Sequence, residues 1–136
     1  MRAWLPCMCW PIALGLAGCA SAPRAACGAG ERAMMVEILY FGTNRPGGTV
    51  SDADWSAFVS EVVTPRFPDG LTTWTASGQW RGASGVVERE GTHVLHLLRT
   101  DDPARAAAVA ELVREYESRF EQEAVLRERA PACISF

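Results

Sequence analysis

From residue 71 the chain alternates between its two sides, with Thr72, Trp74, Ala76 and Trp80 on one and Leu71, Thr73, Thr75, Gln79 and Arg81 on the other, which reads as a half-buried strand. Pro68-Asp69-Gly70 precedes it, a turn signal in which proline presets one angle and glycine tolerates positive φ. Residues 34–41 also alternate, Val36, Ile38 and Tyr40 against Met35, Leu39 and Phe41, and only Glu37 interrupts. A strand apolar on both faces is usually central and covered on both sides. Ser51 and Asp54 form a weak version of the capping box, and Trp55, Phe58, Val59, Val62 and Val63 then line one helical face. Thr64-Pro65 should end that helix. Residues 42–48 and 82–85 read as loops, and residues 86–99 as a strand with Gly91 as a candidate bulge. Asp102-Pro103 caps a second helix carrying Val109, Leu112, Val113, Tyr116 and Phe120 at helical spacing. Residues 123–129 form a last strand before Pro131 and the tail.

The order β-α-β-β-α-β matches the α+β ferredoxin-like sandwich, a four-stranded antiparallel sheet with two helices on one face. Its other face then needs a cover. If Trp74 and Trp80 pack beneath the helices, Met35, Leu39 and Phe41 remain to be shielded. A homodimer, an envelope protein or a small ligand is the expected partner for that face.

Composition changes the picture mainly through the address. Arg2, an apolar run to Leu16 and then small residues have the layout of a secretory signal peptide. Leu16-Ala17-Gly18-Cys19 resembles a bacterial lipobox, which implies acylation of Cys19; ordinary cleavage nearby and an uncleaved anchor are the alternatives. Ala20, rather than aspartate, after the cysteine points to the outer membrane, facing the periplasm. The reading is therefore a signal at 1–18, a flexible tether at 19–33 and one domain at 34–136. Loss of Arg2 leaves twelve arginines against sixteen acids, a net charge of −4, which disfavours nucleic acid. The chain has no lysine, so Schiff-base and lysine-phosphate chemistry are excluded. Outside the leader and Cys19, only Cys27 and Cys133 remain, a pair for a disulfide in an oxidising compartment or for two separate thiols.

Tyr40-Phe41-Gly42, FPDGLT from Phe67, SGQWRG from Ser77 and FEQEAVLR from Phe120 together resemble the bacterial family known as domain of unknown function 3574. The resemblance spans residues 36–136 and implies a fold and a secreted context, without an activity. Ala124 stands where the last motif ordinarily has serine, so no role for that hydroxyl carries over.

His93 and His96, three apart on a strand, point to opposite faces and do not converge on a metal. Glu88 and Glu90 share a face about 7 Å apart, a spacing for paired acid–base work or for a solvated hairpin. No phosphate loop or nucleophile elbow is present, and no cofactor is implied. The best candidate surface comprises Tyr40, Arg66, Asp69, Gln79, Trp80 and Arg81, suited to an organic anion or a sugar. Its bland counterpart has Arg66 paired with Asp69 and Trp80 in the core. The leading expectation is a non-enzymatic, lipid-anchored binding module that uses the open face and residues 66–81. The alternative is a small enzyme of dimeric α+β barrel type, its pocket lined by Tyr40, Trp80, Arg81 and His93.

Overall fold

The central strand, β1 (Arg32–Gly42), is alternately buried and half-buried from Met34 onward, as a strand covered by helices on one side should be. The computed structural model describes residues 26–136; the leader, Cys19 and the first part of the stretch read as a tether, residues 19–25, lie outside the described residues. After β1 come a small ribbon, β2 (Asn44–Arg45) and β3 (Gly48–Thr49), and a helical run made of α1 (Asp52–Phe58), a π-helical turn (Val59–Val63) and α2 (Thr64–Arg66). Then follow β4 (Leu71–Arg81), β5 (Val87–Arg99), α3 (Pro103–Phe120) and β6 (Leu126–Ile134). The four long strands form an antiparallel sheet in the order β4-β5-β1-β6, the ferredoxin-like arrangement.

The caps expected from sequence form. Ser51 and Asp54 exchange both bonds of the capping box, and the Asp102 carboxylate accepts from the Arg105 N–H. Thr64-Pro65, however, does not end the first helical run, which continues to Arg66. In a regular α-helix the ring of Pro65 would crowd the carbonyl four residues back. Here the Thr64 N–H bonds instead to the Val59 carbonyl five residues back, so the turn before the proline is widened. Two further boundaries move. Gly91 makes no bulge, since β4 and β5 pair without a slip through it. The last strand runs to Ile134 and contains Pro131, tolerated because β6 is an edge.

Leu39, Phe41, Leu95 and Leu97 face the helices and build the core with Trp55, Phe58, Val62, Val63, Val109, Leu112, Tyr116 and Phe120. Phe41 is its hub, with ring centroids 5.2 Å from Trp55, 5.9 Å from Phe58 and 4.6 Å from Tyr116. The other face carries Val36, Ile38 and Tyr40, and register sets Trp74, Val94, Tyr40 and Leu126 in one row across it. Trp74 and Trp80 are therefore on the open face, each 45% exposed. The expectation that they pack beneath the helices is corrected: Met35, Leu39 and Phe41 take that place, because residues of one parity share a face.

Glu37 shares the helix-facing parity and is fully buried. Arg99 from β5 donates to it at 2.7 Å, and Arg127 from β6 donates through two nitrogens at 2.6 Å. Burial pushes the Glu37 carboxyl up, but the bonds from Arg127 and Arg99 outweigh it and hold it below the ordinary value of 4.5. At the start of β1 Cys27 and Cys133 are joined in a disulfide spanning 106 residues, a closure that contributes on the order of 4–5 kcal/mol in the chain-entropy account.

Removing one partner of a buried ion pair leaves the other charge uncompensated. Glu37→Ala should therefore cost about 3–5 kcal/mol in urea unfolding, and the double change Glu37→Leu with Arg99→Leu should recover much of that loss. A cost below about 1 kcal/mol for Glu37→Ala would remove the pair from the account of the fold.

Candidate functional site

A cleft of ≈ 720 Å³ opens where β1 ends and the β4–β5 hairpin projects. Three stretches of sequence far apart in the chain meet there. Tyr40 and Gly42 come from β1, Gly78, Gln79 and Trp80 from β4, and residues 121–127 from the turn after α3 and the start of β6. These are the Tyr40-Phe41-Gly42, SGQWRG and FEQEAVLR segments. The fourth, FPDGLT, lines a second cleft of ≈ 650 Å³ at the other end of the sheet, with Phe67, Asp69 and Arg105.

The candidate surface read from sequence is thus divided. Tyr40, Gln79 and Trp80 stand together, whereas Arg66 and Asp69 lie beyond the opposite end of β4, about 30 Å away along an extended strand of this length. Arg66 donates to the Val62 carbonyl at 2.9 Å and lies 3.9 Å from Glu111, so it does not pair with Asp69. Arg81 is exposed at the tip of the hairpin and does not line the cleft. Trp80 is not core. His93 is also misplaced in the barrel-type reading: it is buried beneath the helices, its ring stacked on Trp55 at 4.7 Å and 3°. His93 and His96 fall on opposite faces of β5.

Close packing shapes the walls of the cleft. The Glu90 carboxylate lies across Gly42, 2.6 Å from where a Cβ there would sit, and accepts from the Asn44 N–H at 2.9 Å. The Glu123 carboxylate approaches Gly82 in the same way and accepts from the Ala83 N–H at 2.9 Å, so the turn after α3 holds the hairpin. A side chain at either glycine would push the carboxylate aside. Gln122 donates to the Asn44 carbonyl at 2.7 Å, joining the turn after α3 to β2 just beyond the first segment. Between them Glu121 closes α3 in the left-handed region at φ 52°, where a side chain costs roughly 1 kcal/mol.

The charge of the cleft is negative. Glu88, Glu90, Glu121 and Glu123 line it against Arg45 and Arg127. Both arginines are already engaged, Arg127 with Glu37 and Arg45 with Asp54 at 3.4 Å. Bonds from Ser51 hold Asp54 ionised below its ordinary value of 3.8, so that it remains a partner for Arg45. Sequence reasoning found Glu88 and Glu90 as a pair on one face but missed residues 121–123. The signal was their membership of the FEQEAVLR segment, and what concealed it was the absence of any periodicity in a turn.

Two outcomes follow from this geometry. Burial holds the His93 imidazole below its ordinary value of 6.5, against an opposing pull from Asp52. The unfolded chain then takes up a proton that the folded chain refuses, so stability is full above about pH 6.5 and falls as the pH drops below it. The melting temperature should be lower at about pH 5 than at about pH 7.5, and His93→Phe should reduce that loss. An unchanged loss in His93→Phe would assign the dependence to other groups. Glu121→Gly relieves the left-handed strain and should raise stability by about 0.5–1 kcal/mol in thermal unfolding.

Comparison with solved structures finds this fold in a phage SAM lyase. In complex with S-methyl-5′-thioadenosine that protein aligns with a TM-score of 0.59 and 15% identity over 85% of this chain and 97% of its own. Its apo state aligns with a TM-score of 0.54 and 14% identity over 76% and 90%. At this identity the likeness is one of fold. No curated protein matches the chain. The family model for proteins of unknown function called DUF3574 matches residues 37–136, which include the four segments named from the sequence, and the chain belongs to that family.

Proposed function

We propose that this chain is a lipid-anchored, non-enzymatic binding module of the bacterial cell envelope, and that its cleft captures a small organic cation. The observation that carries the reading is a cleft built from three distant stretches of the chain, where Trp80 and Tyr40 stand among four glutamates. Aromatic faces attract a cationic group, and carboxylates whose neighbouring arginines, Arg45 and Arg127, are bound to other acids add to that attraction. This reverses the sign expected from sequence, since the arginines that favoured an anion are elsewhere or already paired.

The anchor in this reading rests on the lipobox-like Leu16-Ala17-Gly18-Cys19. Its geometry is compatible with the cleft: Cys27 is bonded to Cys133 beside the start of β1, and the cleft opens at that strand's far end. A tether leaving at Cys27 presents the cleft away from the membrane by roughly 30 Å. A second reading, a small enzyme acting on a sulfonium compound, is favoured by the fold shared with the phage SAM lyase and by Glu88 and Glu90 in the cleft.

Titration calorimetry with S-adenosylmethionine and with its thioether counterpart S-adenosylhomocysteine, which lacks only the sulfonium methyl and its charge, tests the charge. The sulfonium should bind at least about tenfold more tightly, and Trp80→Ala and Glu88→Gln should each weaken it by about tenfold. Equal affinity for both compounds would refute the preference for a cation. Chromatography of the same mixtures decides between the readings: unchanged S-adenosylmethionine supports a binding module, and its turnover an enzyme.

A further inference from the structure

The four glutamates of the acidic cleft are not in the same condition. Glu90 Oε2 accepts from the Asn44 N–H and Glu123 Oε1 from the Ala83 N–H, each at 2.9 Å. Among the described residues the carboxylates of Glu88 and Glu121 hold no hydrogen bond and no ion pair. A carboxylate that accepts from a backbone N–H is fixed in direction and has part of its charge satisfied. Two of the four are therefore committed to the protein itself.

What each one meets separates them further. Register sets Trp80 directly opposite Glu88, and side chains so placed have Cβ atoms about 5 Å apart. An indole and an unbonded carboxylate thus stand side by side, the combination that attracts a cationic group. Glu123 reaches the same indole from the other direction. A Cβ at Gly82 would lie 2.8 Å from Glu123 Oε2 and 3.4 Å from Trp80 Nε1, so the carboxylate and the indole edge converge on one bare α-carbon. β4 and β6 are opposite edges of the sheet, and no strand ladder joins the hairpin to the turn after α3. Glu123 makes that connection through a side chain. Glu90 does the equivalent at the end of β1, where it lies over Gly42 and binds Asn44.

We infer that Glu123 and Glu90 are positioning residues of the cleft, and that Glu123, acting through Gly82, sets the pose of Trp80 beside Glu88. This rests on the cation reading of the cleft and divides its charge by task. Glu88 meets the cationic group together with Trp80, Glu123 keeps the hairpin and hence the indole in place, and Glu90 ties β5 to the chain beyond β1.

The test uses the full chain with Cys19→Ser, which removes the acyl acceptor, titrated with S-adenosylmethionine. Glu123→Gln and Glu90→Gln each remove a charge but keep an oxygen that accepts from the backbone N–H, and should leave the affinity within about threefold of the parent, where Glu88→Gln loses about tenfold. Glu123→Ala should lose about tenfold. So should Gly82→Ala, which removes no charge and meets no backbone strain, since Gly82 lacks a positive φ. Two signals need no ligand. Amide exchange at Ala83 should quicken by about tenfold in Glu123→Ala and keep the parent rate in Glu123→Gln. The indole N–H resonance of Trp80, identified by its absence from Trp80→Phe, should move in Glu123→Ala and Gly82→Ala and hold the parent position in Glu123→Gln. A loss for Glu123→Gln equal to that for Glu88→Gln would make Glu123 a partner of the ligand and overturn the inference. So would an unmoved indole resonance or an unchanged Ala83 exchange rate in Glu123→Ala. If the parent chain does not bind S-adenosylmethionine the cation reading fails, and the indole and exchange signals still decide whether Glu123 positions Trp80.

Discussion

A single carboxylate below the helical layer joins three strands that no turn connects directly. Glu37 on β1 reaches Arg99 on β5 and Arg127 on β6, each one step diagonal to its own pairing partners. Sliding either neighbour by one residue would turn the arginine to the open face and leave the buried carboxylate alone, at a cost of several kcal/mol. Hydrophobic contacts alone specify register less sharply, because neighbouring apolar side chains can substitute for one another. The ion group thus fixes which parity of β1 faces the helices, and with it the position of every residue on the open face.

That parity decides the chemistry available at the cleft. With Leu39 and Phe41 turned inward, Tyr40 stands on the open face, in the same row as Trp74 and beside the strand pair that carries Trp80 and Glu88. Tyr116 supports the arrangement from below by donating to the Gly42 carbonyl at 2.9 Å, and burial raises its hydroxyl above the ordinary value so that it stays a donor. The walls are then completed by groups that demand close approach, Glu90 over Gly42 and Glu123 over Gly82. A left-handed glutamate between two such contacts is strain that neighbouring bonds hold in place, which is more often met at binding sites than elsewhere.

The two ends of the molecule consequently differ in character. One end has the disulfide and the Arg32 guanidinium 5.6 Å from the Phe136 ring, and it is where β1 begins and β6 ends. The other end is a hairpin held by a turn, with exposed aromatic and acidic side chains.

Local rules were enough for the element order, both helix caps and the apolar helical faces, since each depends on residues within a turn or two of one another. The four named segments came instead from the resemblance to a family. Alternation in β1 and β4 announced strands, but it is symmetric: two apolar sets of opposite parity satisfy it equally, so it did not say that Trp74 and Trp80 face outward. Proximity in sequence misled at residues 66–81, because an extended strand carries Arg66 about 30 Å from Trp80 while a helix and a turn return Glu121 and Glu123 to it. The sequence by itself determined which segments are strands, helices and turns, because those choices follow from local periodicity and caps. Only the tertiary structure decided which side chains share the cleft and what charge it holds, because both depend on register between strands distant in the chain and on which arginines are already bound to a buried acid.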